Sequence, residues 1–545
     1  PPRDPTPPLT GRPPFENVSR EAGITFVHTY CGTGKRYMVE TNSSGVGWLD
    51  YDHDGYIDLY FVQGAPLPDE PWEGTPTDRL YRNRGDGSLE DVTEKAGILE
   101  TGIGMGVACA DFDGDGWADI YVCNYGKNRL YHNDGDGTFT DVTDAAGVGE
   151  TLWSSSALFA DFDLDSDLDL FVANYVDFAP ERNVKCGQKK GDRFIPMYCH
   201  PDVFEGLPDT LYRNNGNGTF TDVSEASGIR DVDWKAYGKG LGVAPCDYDN
   251  DGDFDIFVAN DGTPNFLFRN EGALRFTEIA TETGVAYNGR GNAESCMGPD
   301  WADVNQDGHF DLAVCNIQRE TNTYWQNMGD GLFFEDRTYE LGIGEPSFLL
   351  VGFSLSFLDF DNDGDDDLFV SNGHMIDNIA EFDPEASFAQ PDHLFENRGP
   401  DQRFAFVSPT MEGYFDERHV GRACAIADYD NDGDYDIAIS NMGGPGILVR
   451  NNVGQKQNWI GLVLRGRAPN RDAIGARLTV HSGDLTQRNE VRGSVGLGSF
   501  RDLRLLFGLG PRTVADGIEI RWPTGKVQEL RGLRAGEYHE IVEPE

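Results

Sequence analysis

Short runs in which apolar and polar residues alternate fill most of the chain, in place of helical stripes. YIDLYFVQ (56–63), WADIYVCN (117–124) and DFDIFVAN (253–260) are representative. They are rich in β-branched and aromatic residues and are bounded by Gly, Asn and Asp. That pattern predicts short β-strands joined by tight turns. A second kind of run, LYRNRGDGSLEDVTEKAGI, LYHNDGDGTFTDVTDAAGV and LYRNNGNGTFTDVSEASGI, reads as strand, hairpin turn, strand. LFRNEGALRFTEIATETGV, YWQNMGDGLFFEDRTYELGI and LFENRGPDQRFAFVS are weaker copies of it.

An acidic segment precedes each run of the first kind, and the whole unit recurs seven times, at spacings of 50 to 86 residues. Carboxylates or Asn stand at offsets 0, 2, 4 and 8 of each copy. They are Asp50, Asp52, Asp54 and Asp58; Asp111, Asp113, Asp115 and Asp119; Asp161, Asp163, Asp165 and Asp169; Asp247, Asp249, Asp251 and Asp255. Then come Asp303, Asn305, Asp307 and Asp311; Asp359, Asp361, Asp363 and Asp367; Asp428, Asp430, Asp432 and Asp436. Glycine occupies offset 5 except at Ser166.

Each repeat thus contains four short strands: A, acidic loop, B, connection, C, hairpin, D. Seven such units predict an all-β fold, a seven-bladed β-propeller with four-stranded blades. The seventh repeat stops after its third strand, ILVRNN (447–452). FENVSREAGI (15–24) at the other end has the form of the missing strand, so the N-terminal strand should complete the last blade. In the tail, WIGLVLRG, ARLTVHSG, DGIEIRWP and YHEIVE predict a small β-sandwich. The expected division is a Pro-rich tether over 1–14, a propeller over 15–455 and a β domain over 456–545.

Oxygen donors at offsets 0, 2 and 4 converge when the backbone turns sharply, and a carboxylate at offset 8 closes the shell. That is the donor set a calcium ion takes, six to eight oxygens from a flexible loop. The start resembles an EF-hand loop, but strands replace the helices and no Glu stands at position 12. Seven identical spacings favour Ca2+, up to seven ions, over acidic turns or a repeated catalytic array.

Composition agrees. Asp plus Glu number 93 against 44 Lys plus Arg, a formal charge of −49. Nucleic acid and anionic membrane are excluded as partners of the whole surface. Seven divalent ions would bring −49 to −35. The longest apolar stretch, PSFLLVGFSLSFLDF, is too short and too interrupted to span a bilayer. PPRDPTPPLTGRPP holds seven prolines in fourteen residues and reads as an extended tether. With no initial Met, an export signal or lipid anchor is expected upstream. Of nine cysteines, Cys186 and Cys199 share one polar insertion and are expected to form a disulfide. Cys109, Cys123, Cys246, Cys315 and Cys424 lie in apolar strands, as buried small hydrophobes.

The acidic repeats resemble the FG-GAP/VCBS calcium repeats of integrin-α-type propellers. The tail NWIGLVLRGRAPNRDAIGARLTVHSGD…FGLG…DGIEIRWPTGKVQELRGL resembles the ASPIC/UnbV domain. Together they resemble the CRTAC/ASPIC family of secreted acidic proteins, in the bacterial form without an EGF module. The resemblance implies an extracytoplasmic calcium-binding protein and, less directly, adhesion or matrix interaction.

Topology also predicts where recognition would occur. Acidic loops and C–D hairpins share one face. The B–C and D–A connections, which carry the longest insertions, share the other. On that long-loop face fall Lys35, Arg36, Lys235, Lys239, Arg290, Arg418 and Arg422, with Tyr30, Tyr37, Trp153, Trp234, Tyr237 and Tyr198. Basic and aromatic groups at a funnel mouth suit a protein, a glycan or a small anionic ligand. His28, Glu40, His200, His374 and His419 map there too. They make a second, transition-metal site conceivable, with His28, Glu40 and His374 as candidate acid–base groups of an enzyme. No nucleophile elbow, phosphate loop or zincin motif is present. The glycine-rich MGVACADFD and GLGVAPCDYD lead into strands, and the Asn124, Asn174, Asn260, Asn316, Asn372 and Asn441 series reads as turn caps. Three readings stay open: a partner-binding propeller with structural calcium, a calcium-scaffolded enzyme, and a self-assembling surface or filament protein. In the last, the C-terminal domain caps a neighbouring subunit. The arginines of LRGRAPNRDAIGAR and RGSVGLGSFRDLR are expected against an acidic blade rim.

Overall fold

Each repeat folds as an antiparallel sheet of four strands. The structure is a computed structural model that describes residues 12–30, 32–67, 74–329, 333–399 and 403–545. The tether expected at 1–14 lies outside these residues except for its last three, and Cys31 lies outside them. Among the described residues no helix is long and apolar enough to cross a membrane.

In blade 1 the strands are Val46–Leu49, Asp58–Phe61, Arg79–Asn83 and Leu89–Asp91. Six further sheets repeat the order, and their innermost strands pack in sequence around a ring that closes between Gly421–Ala427 and Val46–Leu49. The last sheet takes its outer strand from the N-terminus. Phe15–Asn17 pairs antiparallel with Ile447–Asn451, in register Phe15 to Asn451 and Asn17 to Val449. The core is built by the apolar residues of the alternating strands, with Trp48, Trp301, Trp325, Tyr60 and Tyr121 fully buried.

Asparagine ties the blades together. The C strand of every blade ends in an Asn whose side-chain amide donates to the carbonyl just after the first aspartate of the preceding blade's acidic loop. Asn133 reaches Tyr51 O, Asn214 reaches Phe112 O, Asn270 reaches Phe162 O and Asn327 reaches Tyr248 O, at 2.8–3.0 Å. Asn397 reaches Val304 O at 3.1 Å and Asn451 reaches Phe360 O at 2.7 Å. Asn83 closes the ring by donating to Tyr429 O of blade 7 at 2.7 Å. In six blades the same amide also donates to the carbonyl at offset 7 of its own loop, as Asn214 does to Leu168 O.

The C-terminal strands build sheets of their own. One joins Leu505–Gly510, Asn458–Arg465 and Tyr538–Val542; another joins Leu485–Glu490, Arg477–Ser482, Gly517–Arg521 and Val527–Leu530. Ile460, Leu462, Leu478, Val480, Phe507 and Trp522 are buried among them. This unit sits on the acidic-loop face of its own propeller. It also does more than pack on a rim. Ser494–Val495 and Ser499–Phe500 form a hairpin inside the ring. Its second arm pairs in parallel with Val46–Gly47 of blade 1. Gly498 O accepts from Val46 N and Val107 N, Gly498 N donates to Ser156 Oγ, and Gly496 N donates to Pro299 O. Leu497 N donates to Ser354 Oγ and Asp502 N to Ile426 O, so six blades are bonded to it. The seventh, blade 4, is in contact through Gly242. Gly496 and Gly498 take positive φ of 64° and 59°, and a Cβ on Gly498 would stand 2.7 Å from Met105 O. The glycines of the inner strands, Gly45, Gly106 and Gly242, leave the space the hairpin fills. Its arms are anchored on Asp300, fully buried, which accepts from Arg501 and Phe357 N and faces Arg492 at 3.8 Å.

Two substitutions test these ties. Asn214→Leu leaves two buried carbonyls without a donor and should cost about 2–4 kcal/mol of stability in denaturant unfolding. Asn217→Ala, on the exposed hairpin, should stay within about 0.5 kcal/mol of the parent. Asp300→Ala strands two buried guanidinium groups and should cost about 3–5 kcal/mol. It should also open the C-terminal unit to limited proteolysis near residue 456; a cleavage pattern identical to the parent's would count against the anchor.

Candidate metal centres

The acidic loops are wound around their first aspartate. Asp50, Asp161, Asp359 and Asp428 each accept the backbone N–H groups of offsets 4 and 5, at 2.9–3.2 Å. Asp111 and Asp303 accept the offset-5 N–H of Gly116 and Gly308. This turn needs a left-handed residue. Gly55 and Gly364 supply it at φ 83° and 102°, and Ser166 adopts it at φ 77°.

The aspartate at offset 8 has a second task that spacing alone does not reveal. In five blades one of its oxygens accepts the N–H at offset 1, as Asp119 does from Phe112 and Asp367 from Phe360. The other accepts the N–H of the C-strand Asn in all seven blades, at 2.7–2.8 Å. Asp58, Asp119, Asp169, Asp255, Asp311, Asp367 and Asp436 are buried and fix loop, B strand and C strand together.

The predicted ligands do converge. Asp50, Asp52 and Asp58 bring one oxygen each within 4.8 Å of one another, as do the sets Asp111, Asp113 and Asp115; Asp161, Asp163 and Asp165; and Asp247, Asp249 and Asp251. In blade 5 the Asn305 amide donates to Asp307 at 2.9 Å. Buried carboxylate oxygens lacking any hydrogen-bond partner occur at Asp52, Asp111, Asp163, Asp247 and Asp430. Oxygen-rich, turned inward and short of donors, these loops fit a hard divalent cation.

Electrostatics point the same way. Burial, reinforced by neighbouring carboxylates, raises Asp50 to about 6, Asp161, Asp361 and Asp430 to about 7, and Asp111 to about 8. Arginines of the C-terminal unit offset part of this charge. Arg477 stands 3.1 Å from Asp247, Arg488 3.2 Å from Asp303 and Arg471 4.0 Å from Asp111. Arg504 donates to Asp428 O and Asn431, and Tyr538 Oη to Asp428 at 2.8 Å. A cavity of about 960 Å³ separates this unit from the loops of blades 7 and 1 and is lined by Asp50, Asp430, Asp432, Asp472, Arg504 and Tyr538.

The long-loop face differs from the expected open funnel. Lys239, Arg422, Tyr37, Trp153 and Tyr198 are buried. Arg422 lies over the Phe353 ring at 3.7 Å and gives its donors to the carbonyls of Thr41, Gly373, Gly421 and His374. Glu40 to Ser44 are buried with it. His28, Glu40 and His374 spend their hydrogen bonds on different partners. His28 Nδ1 accepts from Gly443 N, Glu40 from Thr33 and the Tyr198 hydroxyl, and His374 Nδ1 from Ile376 N. Burial, then the charge of Arg422, pushes His28 down to about 3 and His374 to about 4. Burial thus favours the neutral form of both imidazoles. His200 is exposed beside Asp202, and His419 stacks on Tyr414. Cys186 and Cys199 form the expected disulfide, whereas Cys109, Cys123, Cys246, Cys296, Cys315 and Cys424 are free and buried. The B-strand asparagines cap connections, as when Asn174 donates to Pro208 O and Asn260 to Pro264 O.

A closed ring of FG-GAP-type blades with a β unit seated on its loops defines the class of protein. A model described as FG-GAP-like repeat matches residues 50–122, 111–172, 200–258, 247–314, 303–370 and 359–439, and one described as ASPIC and UnbV matches 466–545. The chain belongs to the CRTAC/ASPIC family of FG-GAP-repeat proteins. It is similar to cartilage acidic protein 1 of Mus musculus, 27% identical over 519 residues, which cover 92% of this chain and 64% of that protein. The Xenopus tropicalis protein of the same name is 27% identical over 376 residues, 66% of this chain and 54% of that one. The chain thus spans less than two thirds of these relatives' length. Among solved structures, YCF48 bound to a D1 peptide aligns at TM-score 0.42 and 8% identity, covering 82% of this chain and 96% of that one. An Agrocybe aegerita lectin that recognises non-reducing terminal N-acetylglucosamine aligns at 0.40 and 17%, covering 67% and 79%.

A pH test follows from the raised carboxyls. In the folded, cation-free protein they hold protons that the unfolded chain releases near 3.8. The folded state therefore binds more protons between about pH 4 and pH 8, and its stability falls as pH rises through that window. Protein stripped on a chelating resin should melt several degrees lower at pH 8 than at pH 5. Saturating calcium should remove most of that difference. Equal melting temperatures at both pH values without calcium would contradict the burial of these carboxyls.

Proposed function

We propose that this chain is an extracytoplasmic calcium-binding propeller that recognises a partner through its long-loop face, calcium serving structure and not chemistry. The observation that carries the reading is the seat of the C-terminal unit. Its hairpin fills the ring and its arginines lie on the acidic loops, so the face left for a partner is the opposite one. That face is braced to hold a shape. The Tyr30 and Tyr198 hydroxyls are 2.7 Å apart, Tyr198 Oη donates to Glu40 at 2.8 Å, and Arg36 pairs with Asp377. Asn183 donates to Lys35 O and Asn378 to Pro196 O, which fastens the disulfide-closed hairpin to its neighbours. Exposed on it are Lys235, Tyr237, Arg290 and Arg418, in a chain of net charge −49. Such a patch suits an acidic protein segment, an anionic glycan or a small anionic ligand. The disulfide and the similarity to cartilage acidic protein 1 support an extracytoplasmic setting. The reading goes with a division into propeller at 15–455 and β domain at 456–545. His28, Glu40 and His374 accept hydrogen bonds from different partners, which favours the binding reading over the enzyme reading.

Elemental analysis of calcium-equilibrated protein should find calcium approaching one ion per acidic loop, and calcium should raise the melting temperature by mass action. For the recognition face, immobilised protein is screened against extracellular proteins and glycans. Any partner found should lose at least tenfold in affinity to the triple variant Lys235→Glu, Arg290→Glu, Arg418→Glu. A partner indifferent to that variant but lost on Val527→Asp, an exposed site of the C-terminal unit, would move recognition to the other side.

A further inference from the structure

The residue before the C-strand asparagine varies between blades: Arg82, His132, Arg213, Arg269, Gln326, Glu396 and Arg450. In blade 1 the Arg82 guanidinium lies on Asp52 and Asp54, at 2.5 and 2.9 Å. A guanidinium stays protonated and neutralises the loop without ligating anything. In blade 2 an imidazole stands in its place. His132 Nδ1 is 3.3 Å from Asp119 Oδ1 and 3.4 Å from Asp113 Oδ2, while Nε2 faces Asp115 at 3.9 Å. The nitrogen is buried, and the carboxylates of Asp119 and Asp113 are what it faces.

Taking the acidic loops as cation sites, we propose that the loop of blade 2 is a transition-metal site, in which His132 Nδ1, Asp113 and Asp119 bind a first-row divalent ion such as Zn2+ or Co2+ in preference to calcium. Calcium takes oxygen donors, whereas an imidazole beside carboxylates suits zinc, cobalt, nickel, copper or iron once the ion displaces its proton. The spacing fits. Donors about 2.1 Å from a tetrahedral ion lie roughly 3.4 Å apart, and His132, Asp113 and Asp119 together offer three atoms within 4.8 Å of one another. A second observation is independent of the histidine. Asp111 is 2% exposed and its Oδ1 has no hydrogen-bond partner, although Oδ2 accepts from Gly116 N at 2.8 Å. Asp111 also brings an oxygen within 4.8 Å of Asp113 and Asp115, so a buried carboxylate with one unpartnered oxygen stands beside the set as a fourth ligand. The outer contacts hold the first ligands in place: Asp119 accepts from Phe112 N and Asn133 N, and Asp115 faces the far ring nitrogen. Among the seven loops His132 is the only imidazole at this position.

The test uses the whole chain. Calcium-saturated protein is equilibrated with Co2+ in excess calcium, desalted, and measured by elemental mass spectrometry and visible absorption. One cobalt per chain is expected, with a visible ligand-field band and one calcium fewer than in the cobalt-free sample. His132→Gln and His132→Arg introduce residues that blades 5 and 1 already carry at this position, so both should fold. Both should lose at least nine tenths of the cobalt and regain the calcium. Failure of the parent protein to retain cobalt, or equal retention by the variants, overturns the proposal; the latter would put cobalt on other groups, such as the long-loop histidines. The calcium count in the same samples separates this outcome from failure of the calcium reading, which would show as no calcium in any loop.

Discussion

The structure depends on one side-chain amide repeated around a circle. An asparagine at the end of each C strand donates to a carbonyl in the loop of the blade before and, in six of the seven blades, to a second carbonyl in its own acidic loop. Its backbone N–H goes to the aspartate at offset 8 of its own loop. A propeller has no continuous hydrogen-bonded sheet between blades, and apolar packing there is not directional. The amide supplies direction: it sets how far each blade is displaced from the last. The ring closes when Asn83 finds the loop of blade 7, and that loop is held in turn by a strand from the far end of the chain.

This explains why the loops are acidic beyond any need to bind ions. The aspartate at offset 8 accepts two backbone N–H groups, so it would remain indispensable without a metal. The aspartates at offsets 0, 2 and 4 are different. They face one another, and several of their oxygens lack donors. One loop therefore carries a structural carboxylate and a set of ligand carboxylates under a single spacing rule.

Much of this was legible in the sequence. The loop spacing gave the repeat, the repeat gave the blade, and FENVSREAGI gave the closing strand, because each signal is local and recurs. The C-strand asparagine was equally visible in LYRN, LYHN and LFRN, yet its partner lies one blade away and no local pattern shows it. The hairpin through the ring was less legible still. RGSVGLGSFRD reads as a basic, glycine-rich loop, and only glycines brought together from separate blades, such as Gly45, Gly106 and Gly242, reveal the space it occupies. Residues of the long-loop face misled for a related reason. Arg422 and Tyr198 are polar enough to read as surface, but each finds its partners inside the fold.

The C-terminal unit has to satisfy two demands at once. It fills the ring with a nearly uncharged hairpin, and it meets the acidic loops with arginine. Arg471, Arg477, Arg488 and Arg504 approach the first aspartates or their carbonyls in blades 2, 4, 5 and 7. A first aspartate thus meets an arginine on one side and, in the proposed reading, would meet an ion on the other. Two cations competing for one carboxylate would oppose each other if they shared its oxygens. Here Asp247 keeps Oδ1 without a partner while Oδ2 meets Arg477, so the two roles fall on separate atoms. An ion bound as proposed and the C-terminal unit would then each stabilise the loop that the other needs, and the seating of that unit would become part of the loops' affinity for cations.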